Sequence, residues 1–464
     1  MSKHLRKPGE LDTDFGIEGY AKLPAPPGAQ EPGVAFSTTV DSVNRIILAA
    51  GAPVDGKDFY YFARLDAKGV CEPDPGLVAI EDPELDPSLS FALGFDFVTP
   101  STAAPDSNYI AYSKCATWTG EDWLWQGAVG HYRNNFKPLD GFGKKGLILL
   151  RPDGQSSSTT ASSARRECLP RKTKLSDDAN IPGNLKNRYK QEVFAPAARS
   201  VLLGNSIKTL YASSLDNEPN SQTLWVALHD AKTGVPVAGL GPDGTKTQWH
   251  IKNFLDNTFE PSGCHFFEDG GFALAGKEGA PGIVARYKSS GELDMDFNKS
   301  GFIELENRNI QLGANESRVI IAQGTYYTSQ PGHPINLTIR VYDKHTGLPD
   351  AQFNENGILS INVDPGSDIR ALTTHSVIID PNGTIYIAGN LMHAGGSTFY
   401  LQGIIHRITR DGKLDTNFAS QGRYLAPEDK VNALRGAHLG SDGFRFISQL
   451  NENDGGYCAM KLFI

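Results

Sequence analysis

Long apolar runs are missing from this sequence. No stretch approaches the roughly 18 apolar residues that a membrane-spanning helix needs, so we expect no membrane span. The first residues, 1–8, are rich in charge and are not followed by the apolar core of a Sec signal peptide. We therefore predict a cytoplasmic protein, with export by a leaderless route as the alternative.

Cysteine and the common catalytic motifs are also scarce. The 5 cysteines are widely separated, with no CxxC pair and no Cys/His pair at zinc-ligand spacing, which is typical of reduced, buried thiols. The chain has no HExxH, no GxSxG and no GxxxxGK segment followed by Ser or Thr. We therefore predict no metal, no cofactor and no catalytic residue, although a triad assembled from distant segments would leave no linear pattern.

Positive charge is limited as well. Lys and Arg number 44 against 53 Asp and Glu, a net charge of −9, which argues against a general nucleic-acid binder because such a protein needs a basic surface. Apolar residues form 39% of the chain and charged residues 21%, which excludes wholesale disorder. Glycine is abundant, at 49 of 464 residues, and indicates short strands joined by tight turns. We predict an all-β protein.

A segment of the form G-x-L-D-x-x-F-x-x-x-G recurs along the chain, followed each time by an alternating strand pattern. Four clean copies begin at Gly9, Gly291, Gly347 and Gly412. Three worn copies begin at Gly69, where the spacing is three residues short, at Lys137, where it is one residue short, and at Gly234. The copies therefore define seven units.

The spacing of the copies predicts a closed ring. From residue 412 through the C-terminus at 464 and on to residue 9, the step would be 61 residues, which lies between the steps of 56 and 65 that separate clean neighbouring copies. Asp-Gly and Asn-Gly turns ahead of β-rich runs give each unit about four antiparallel strands. We predict one domain over residues 1–464, a monomeric seven-bladed β-propeller with four-stranded antiparallel blades, one of them closed by strands from both termini.

The motif residues have a structural interpretation. Leu293 and Phe297, for example, would pack between blades, and the motif Asp would accept hydrogen bonds from turn amides. The pairs Asp12/Asp14 and Asp294/Asp296 offer calcium as an alternative, although they lack the further oxygen ligands that calcium prefers.

The units resemble the bacterial delta-sixty repeat, whose pattern is a strand, then A-R-L-x-x-x-G-x-L-D-x-x-F-G-x-x-G. The best match runs from Val284-Ala285-Arg286-Tyr287 through Gly291-Glu292-Leu293-Asp294 to Phe297 and Gly301. The resemblance covers nearly the whole chain and implies a β-propeller. It implies no particular activity, because the family has no shared function to carry over.

An irregular basic insertion, residues 151–200, interrupts the repeats. It is rich in Ser and Thr and holds ten Lys or Arg against five acids, a balance of +5 that leaves −14 for the rest of the chain. Such a segment can contact an acidic partner, or it can be a solvated loop tolerated because loop-closure entropy grows slowly with length. Its candidate binding residues are Arg165, Arg166, Arg171 and Lys172.

Aromatic residues gather at predicted hairpin tips. Trp118 and Trp123 flank Glu121 and Asp122, and comparable positions in other units hold Tyr326, Tyr327 and Tyr400. Exposed aromatic rings beside carboxylates can stack on sugar rings while the carboxylates accept hydroxyl hydrogen bonds. The alternation of Trp123 and Trp125 suits core packing equally well.

Three functions follow from these features. The leading one is a non-catalytic recognition module that binds a protein or other macromolecule through one propeller face and the basic insertion. The first alternative is a lectin-like, carbohydrate-binding propeller that uses the aromatic hairpin tips. The second is a hydrolase or isomerase with a site at the central channel. His131 and His406, at corresponding strand positions, would approach this channel and offer a metal site there as a further alternative.

Overall fold

Short β-strands joined by tight turns make up almost all of the described chain. The first strand in the sequence, β1 (Tyr20–Lys22), belongs to the last blade. The computed structural model describes residues 7–29, 34–54, 57–74, 76–80, 89–90, 95–100, 108–118, 123–150, 199–215, 223–251, 259–278, 281–306, 310–325, 333–363, 368–395, 398–427, 431–450 and 457–464.

The first three blades follow one another from the N-terminal side. Blade 1 contains β2 (Val34–Val40), β3 (Ile46–Val54), β4 (Lys57–Leu65) and β5 (Val78–Ala79). Blade 2 contains β6 (Leu89–Ser90), β7 (Phe95–Pro100), β8 (Tyr109–Trp118), β9 (Trp123–Tyr132) and β10 (Leu147–Leu150), with β6 and β7 both paired to β8. Blade 3 contains β11 (Arg199–Leu203), β12 (Ser206–Leu215), β13 (Thr223–Asp230) and β14 (Gln248–Ile251).

Four more blades complete the set. Blade 4 contains β15 (Phe259–Phe266), β16 (Phe272–Glu278), β17 (Gly282–Tyr287) and β18 (Phe302–Leu305). Blade 5 contains β19 (Ile310–Ala314), β20 (Arg318–Gly324), β21 (Asn336–Asp343) and β22 (Ile358–Asn362). Blade 6 contains β23 (Ile369–Ile379), β24 (Ile385–Gly395), β25 (Thr398–Ile408) and β26 (Arg423–Leu425). Blade 7 contains β27 (Val431–Gly440), β28 (Gly443–Leu450), β29 (Tyr457–Leu462) and β1.

The blades form a closed seven-bladed propeller. The innermost strands β2, β7, β11, β15, β19, β23 and β27 each contact the next, and β27 contacts β2. Blade 7 takes its outer strand β1 from the N-terminal side and its other three from the C-terminal side. The predicted fold and the predicted closure by both chain ends are therefore confirmed.

The core is divided among the seams between blades. Alternate residues of a strand point to opposite faces of the sheet, so each blade presents an apolar face to both neighbours. Seven buried apolar clusters result, one for each seam between adjacent blades. Within the described residues no helix has the length and apolar character needed to cross a bilayer.

The repeat motif packs as predicted. Phe297 is fully buried in the seam between blades 4 and 5, beside Val319 and Ile321. Gly301 has a φ of 83°, and a Cβ there would lie 2.3 Å from Cγ of Leu293, so only glycine fits.

The motif carboxylates are used within the blades. Four of them pair with a Lys or Arg of the third strand, in the pairs Arg64–Glu72, Arg286–Asp294, Arg407–Asp415 and Lys461–Asp12. In blade 5 the cation comes from the second strand instead, where Arg318 Nε lies 2.7 Å from Asp350 Oδ2. Asp350 Oδ1 also accepts a hydrogen bond from the Gln352 amide at 2.8 Å, as predicted for the turn. In the two pairs named for calcium, Asp12 and Asp294 therefore already contact Lys461 and Arg286.

A backbone hydrogen bond ties the motif of one blade to the next blade. The residue after the motif aromatic, or after Leu240 in blade 3, donates its N–H to the carbonyl of the residue just before the next motif. We call these six contacts, at 2.7 to 2.9 Å, the clasp bonds: Gly16 to Lys68, Gly143 to Thr233, Gly241 to Ser290, Asn298 to Thr346, Asn354 to Asp411, and Ala419 to Pro8. Between blades 1 and 2, Arg64 Nη1 donates to the Asn134 carbonyl at 3.0 Å instead.

Two details of the sequence interpretation change. The copy at Lys137 has normal spacing in three dimensions, because Leu139, not Asp140, occupies the motif Asp position and Phe142 is fully buried at the motif Phe position. The basic insertion ends earlier than predicted, since Arg199 and Ser200 already form the start of β11.

Candidate functional site

The two ends of the propeller disc carry different features. One end, the motif face, holds the repeat motifs and the turns between first and second strands. The other end, the hairpin face, holds the hairpins between second and third strands and the connections between blades. Antiparallel pairing fixes this division, because successive strand ends alternate between the two ends of a sheet.

The motif face is largely occupied by contacts within the protein. The clasp bonds and the motif ion pairs lie there, so its regular polar groups already have partners. Its exposed aliphatic side chains, such as Val70, Val235 and Leu348, stand one to a motif. Single exposed apolar residues of this kind are normal on a soluble surface and do not define a site.

The predicted site residues belong to the hairpin face where the structure describes them. Trp118 and Trp123 are the last register pair of the β8–β9 hairpin. Tyr400 lies near the tip of the β24–β25 hairpin and is 36% exposed. The other predicted residues lie outside the described part of the chain: Glu121, Asp122, Arg165, Arg166, Arg171, Lys172, Tyr326 and Tyr327.

Tyr400 is part of a cluster that the sequence did not reveal, which we call the blade 6 platform. Its ring lies parallel to the ring of His393, with a centroid distance of 4.6 Å and an interplanar angle of 9°. His393 Nδ1 lies 3.1 Å from Oδ2 of Asp368, in the connection that enters blade 6. The carboxylate of Asp368 therefore orients the imidazole of His393, and the imidazole orients the ring of Tyr400.

The platform contains one buried side chain, His393, and two exposed ones, Asp368 and Tyr400. His393 is 6% exposed, and its Nε2 has no hydrogen-bond partner among the described residues. The side chain of Asp368 is 44% exposed, and the pKa of this carboxyl is lowered mainly by the hydrogen bond from His393. The carboxylate is therefore charged at neutral pH and in contact with solvent.

The hairpin that carries the platform is long. Strands β24 and β25 have 11 residues each, against 7 and 6 for the corresponding strands β16 and β17 of blade 4. At about 3.3 Å per residue, the blade 6 hairpin extends roughly 15 Å farther. Tyr400 and His393 pair near this tip, two positions before the last register pair, Gly395 with Thr398.

The strand register explains how the His393–Tyr400 pair forms and which sequence signal could have predicted it. Gly395 pairs with Thr398, which places residue 393 opposite residue 400, so the Gly395-Gly396-Ser397 run was a usable sequence signal for the His393–Tyr400 pair. Asp368 is 25 residues from His393 in sequence and gave no comparable signal.

Blades 2 and 3 are joined at the hairpin face. Residues Ser214 and Leu215 of β12 pair with Trp125 and Leu124 of β9, so the two blades share one nine-stranded sheet. The register places the end of β10 and the start of β11 toward this same face. The basic segment 151–198, which lies outside the described residues, therefore leaves and re-enters the propeller at the hairpin face.

The central channel contains a second polar group of residues. His265 of blade 4 and His438 of blade 7 occupy corresponding positions near the ends of innermost strands, and burial lowers the pKa of each to about 4. The positive charge of Arg199 in blade 3 adds to the lowering of both pKa values. His438 Nε2 also lies 2.9 Å from Oγ1 of Thr38 in blade 1. The channel histidines are neutral at pH 7.

The predicted approach of His131 and His406 in the channel is wrong. Both residues lie on third strands, β9 and β25, away from the innermost strands that line the axis. His131 Nδ1 lies 2.8 Å from the Ala231 carbonyl and its ring packs edge-on against Phe142. Burial lowers the pKa of His406 to about 3. Both act as core residues.

Comparison with known proteins finds distant structural similarities and no function. No protein-family model and no curated protein sequence matches the chain. A peptidase from Pyrococcus horikoshii, an acylaminoacyl peptidase, matches at 8% identity with a TM-score of 0.40 over 90% of this chain, which spans about half of the peptidase, 49%. An α-L-arabinofuranosidase from Fusarium graminearum matches at 9% identity and a TM-score of 0.39, covering 96% of this chain and 97% of its own. The β-propeller domain of the Trilobed protease from Pyrococcus furiosus matches at 7% identity and a TM-score of 0.29, covering 76% and 89%.

Proposed function

We propose that the protein is a non-catalytic recognition module that binds a protein or other macromolecule through its hairpin face. The observation that carries this proposal is the difference between the two faces. On the motif face the regular polar groups are bound to one another across the seams, whereas the hairpin face exposes Tyr400 and the charged Asp368. Exposed polar and aromatic side chains on loops and hairpin tips are suited to recognition.

Charge supports a role for the basic insertion in the same surface. Residues 151–200 carry a balance of +5 on a chain of net charge −9, and both flanking strands open toward the hairpin face. A basic segment there would steer an acidic partner to this face and leave the acidic remainder of the protein to repel it elsewhere.

A hydrolytic role for the platform is not favoured. An Asp–His pair serves a nucleophile only when a Ser, Thr or Cys lies within hydrogen-bond distance of the second ring nitrogen. His393 Nε2 has no hydrogen-bond partner, so the described residues form a dyad without a nucleophile. The platform is better suited to binding than to catalysis.

We also propose that the repeat belongs to the delta-sixty group. The support is that each conserved feature of the pattern has a defined role in this chain: the Arg–Asp pair joins strand to turn, the Phe fills a seam, and the position after it forms a clasp bond. The resemblance still assigns no activity.

Affinity purification with the tagged full chain tests the recognition role. Cell extract is passed over the wild type, over a variant lacking residues 155–190, and over the double variant Tyr400→Ala/Asp368→Ala; the control is Leu348→Ala on the motif face. We expect a partner retained by the wild type and the control and reduced at least about fivefold by the two hairpin-face variants. Retention that depends on Leu348 and not on the hairpin face would contradict the proposal, and a cooperative melt checks that each variant is folded.

A further inference from the structure

We propose that the blade 6 platform is a carbohydrate subsite that takes one uncharged pyranose ring of a glycan. This rests on the proposed recognition role of the hairpin face and names the ligand class of one part of it. The residues are Tyr400 as the stacking surface, Asp368 as the hydroxyl acceptor and His393 as the group that positions both.

The tyrosine provides a rigid apolar surface at the protein boundary. The parallel stack on His393, at 4.6 Å, holds the ring in one orientation, and 36% of the residue is exposed. Sugar rings present flat patches of C–H groups that pack on aromatic faces, and a ring already held in place loses little entropy on binding.

The carboxylate provides the polar half of the site. His393 Nδ1 occupies one acceptor position on Oδ2 of Asp368, and a carboxylate has about four such positions. With its side chain 44% exposed and its pKa lowered, Asp368 can accept hydrogen bonds from sugar hydroxyls at neutral pH. Charge-assisted hydrogen bonds of this kind are stronger than neutral ones.

The charges around the platform favour an uncharged ligand. Asp368 disfavours a phosphate or a carboxylate ligand, and the nearby positive charge of Arg370, which also lowers the pKa of Asp368, disfavours a cationic one. A polyhydroxylated ring has both donors and acceptors and no net charge, so it can satisfy both neighbours.

The buried imidazole supports a positioning role. His393 is 6% exposed with Nε2 unpartnered, which costs stability that an apolar residue of similar size would not cost. Two contacts explain why a histidine stands at this position: its Nδ1 bonds to Asp368, and its ring face stacks on Tyr400.

Saturation-transfer NMR on the full chain tests the inference. The probes are three neutral hexasaccharides, cellohexaose, xylohexaose and maltohexaose, at concentrations up to about 10 mM. We expect at least one to bind, with affinity lowered about tenfold by Tyr400→Ala, at least about threefold by Asp368→Asn, and less than about threefold by Tyr400→Phe. The exposed Leu425, on the outer strand of the same blade, gives the control Leu425→Ala, which should bind like the wild type.

The outcomes separate this inference from the recognition role. No binding of any hexasaccharide, or binding that Tyr400→Ala leaves unchanged, overturns the carbohydrate subsite. If a partner is still lost from the hairpin-face variants in the affinity experiment, the recognition role stands without the subsite. His393→Phe, which keeps the stack and removes the bond to Asp368, should behave like Asp368→Asn and not like Tyr400→Ala; the reverse result would refute the positioning role.

Discussion

Replacing Phe15 by Ala should loosen the closing seam, between blades 7 and 1, because Phe15 lies on the N-terminal segment that completes blade 7 and pairs with β29 without chain continuity. Phe15 is 1% exposed and lies in the apolar cluster between blades 7 and 1, beside Leu48 and Leu65. Its neighbour Gly16 makes the clasp bond to Lys68. Truncating a buried Phe typically costs about 3–5 kcal/mol, because the cavity left behind collapses only in part.

Phe297→Ala is the matched control. Phe297 is at the same motif position, is also fully buried, and Asn298 makes the corresponding clasp bond to Thr346. Both variants should lose about 3–5 kcal/mol of unfolding free energy. They should differ locally, because residues 8–22 are held on β29 by non-covalent contacts alone, whereas blades 4 and 5 are consecutive in the chain.

Hydrogen exchange measured by mass spectrometry distinguishes the two variants. The Phe463 amide donates to the Glu10 carbonyl at 3.0 Å, so its exchange reports release of the N-terminal segment. A loss of about 3–5 kcal/mol corresponds to exchange faster by roughly two to four orders of magnitude in Phe15→Ala. Phe297→Ala should leave the peptide 457–464 protected under native conditions. Equal acceleration in both variants, or none in Phe15→Ala, would refute the idea that the closing seam opens separately.

Three further predictions follow from local geometry and burial. Ala419 has a φ of 46°, so Ala419→Gly should raise the unfolding free energy in urea by about 0.5–1 kcal/mol by relieving the left-handed conformation. Burial lowers the pKa of His406 from 6.5 to about 3, so the unfolded chain binds the proton first as the pH falls and the unfolding free energy drops between about pH 6.5 and 3. His406→Leu should reduce the slope of unfolding free energy against pH by up to about 1.4 kcal/mol per pH unit, as measured by urea titrations across this range. Burial raises the pKa of Cys264 and of Cys458 to about 12, so iodoacetamide at pH 8 should label the half-buried Cys71 at least about tenfold faster, as measured on peptides by mass spectrometry.

Each of these predictions has a clear contrary result. A lower urea midpoint for Ala419→Gly would mean that lost packing outweighs the relieved strain. An unchanged pH slope in His406→Leu would mean that the other buried histidines, such as His229, carry the acid sensitivity. Equal labelling of the three cysteines would mean that the seams holding Cys264 and Cys458 open as readily as the surface around Cys71.

The two faces of the propeller follow different rules. The motif supplies seam packing, ion pairs and clasp bonds on the motif face, which is why its spacing is visible in the sequence. The hairpin face is free of these requirements, so it is where blades differ in hairpin length and where blades 2 and 3 are joined. Recognition by the hairpin face is the proposal that fits this division.

The sequence by itself determined the fold, because the fold depends on contacts that recur at fixed spacing. Five units bury a Phe such as Phe297 in a seam, blade 3 buries Leu240 instead, and Gly301 and its equivalents adopt a conformation closed to other residues. These demands recur along the chain, so even the worn copies could be counted and the closure of blade 7 by both chain ends could be predicted.

The candidate site depended on tertiary structure, because its contacts occur once. Tyr400 was named from the sequence, but the ring beneath it and the carboxylate beside it come from hairpin register and from a connection between blades. The same reason explains the error over His131 and His406: their shared strand position was visible, whereas the distance of a third strand from the axis is set only when the blades assemble into the ring. Repetition leaves a signal in the sequence, and a contact made once across the fold leaves none.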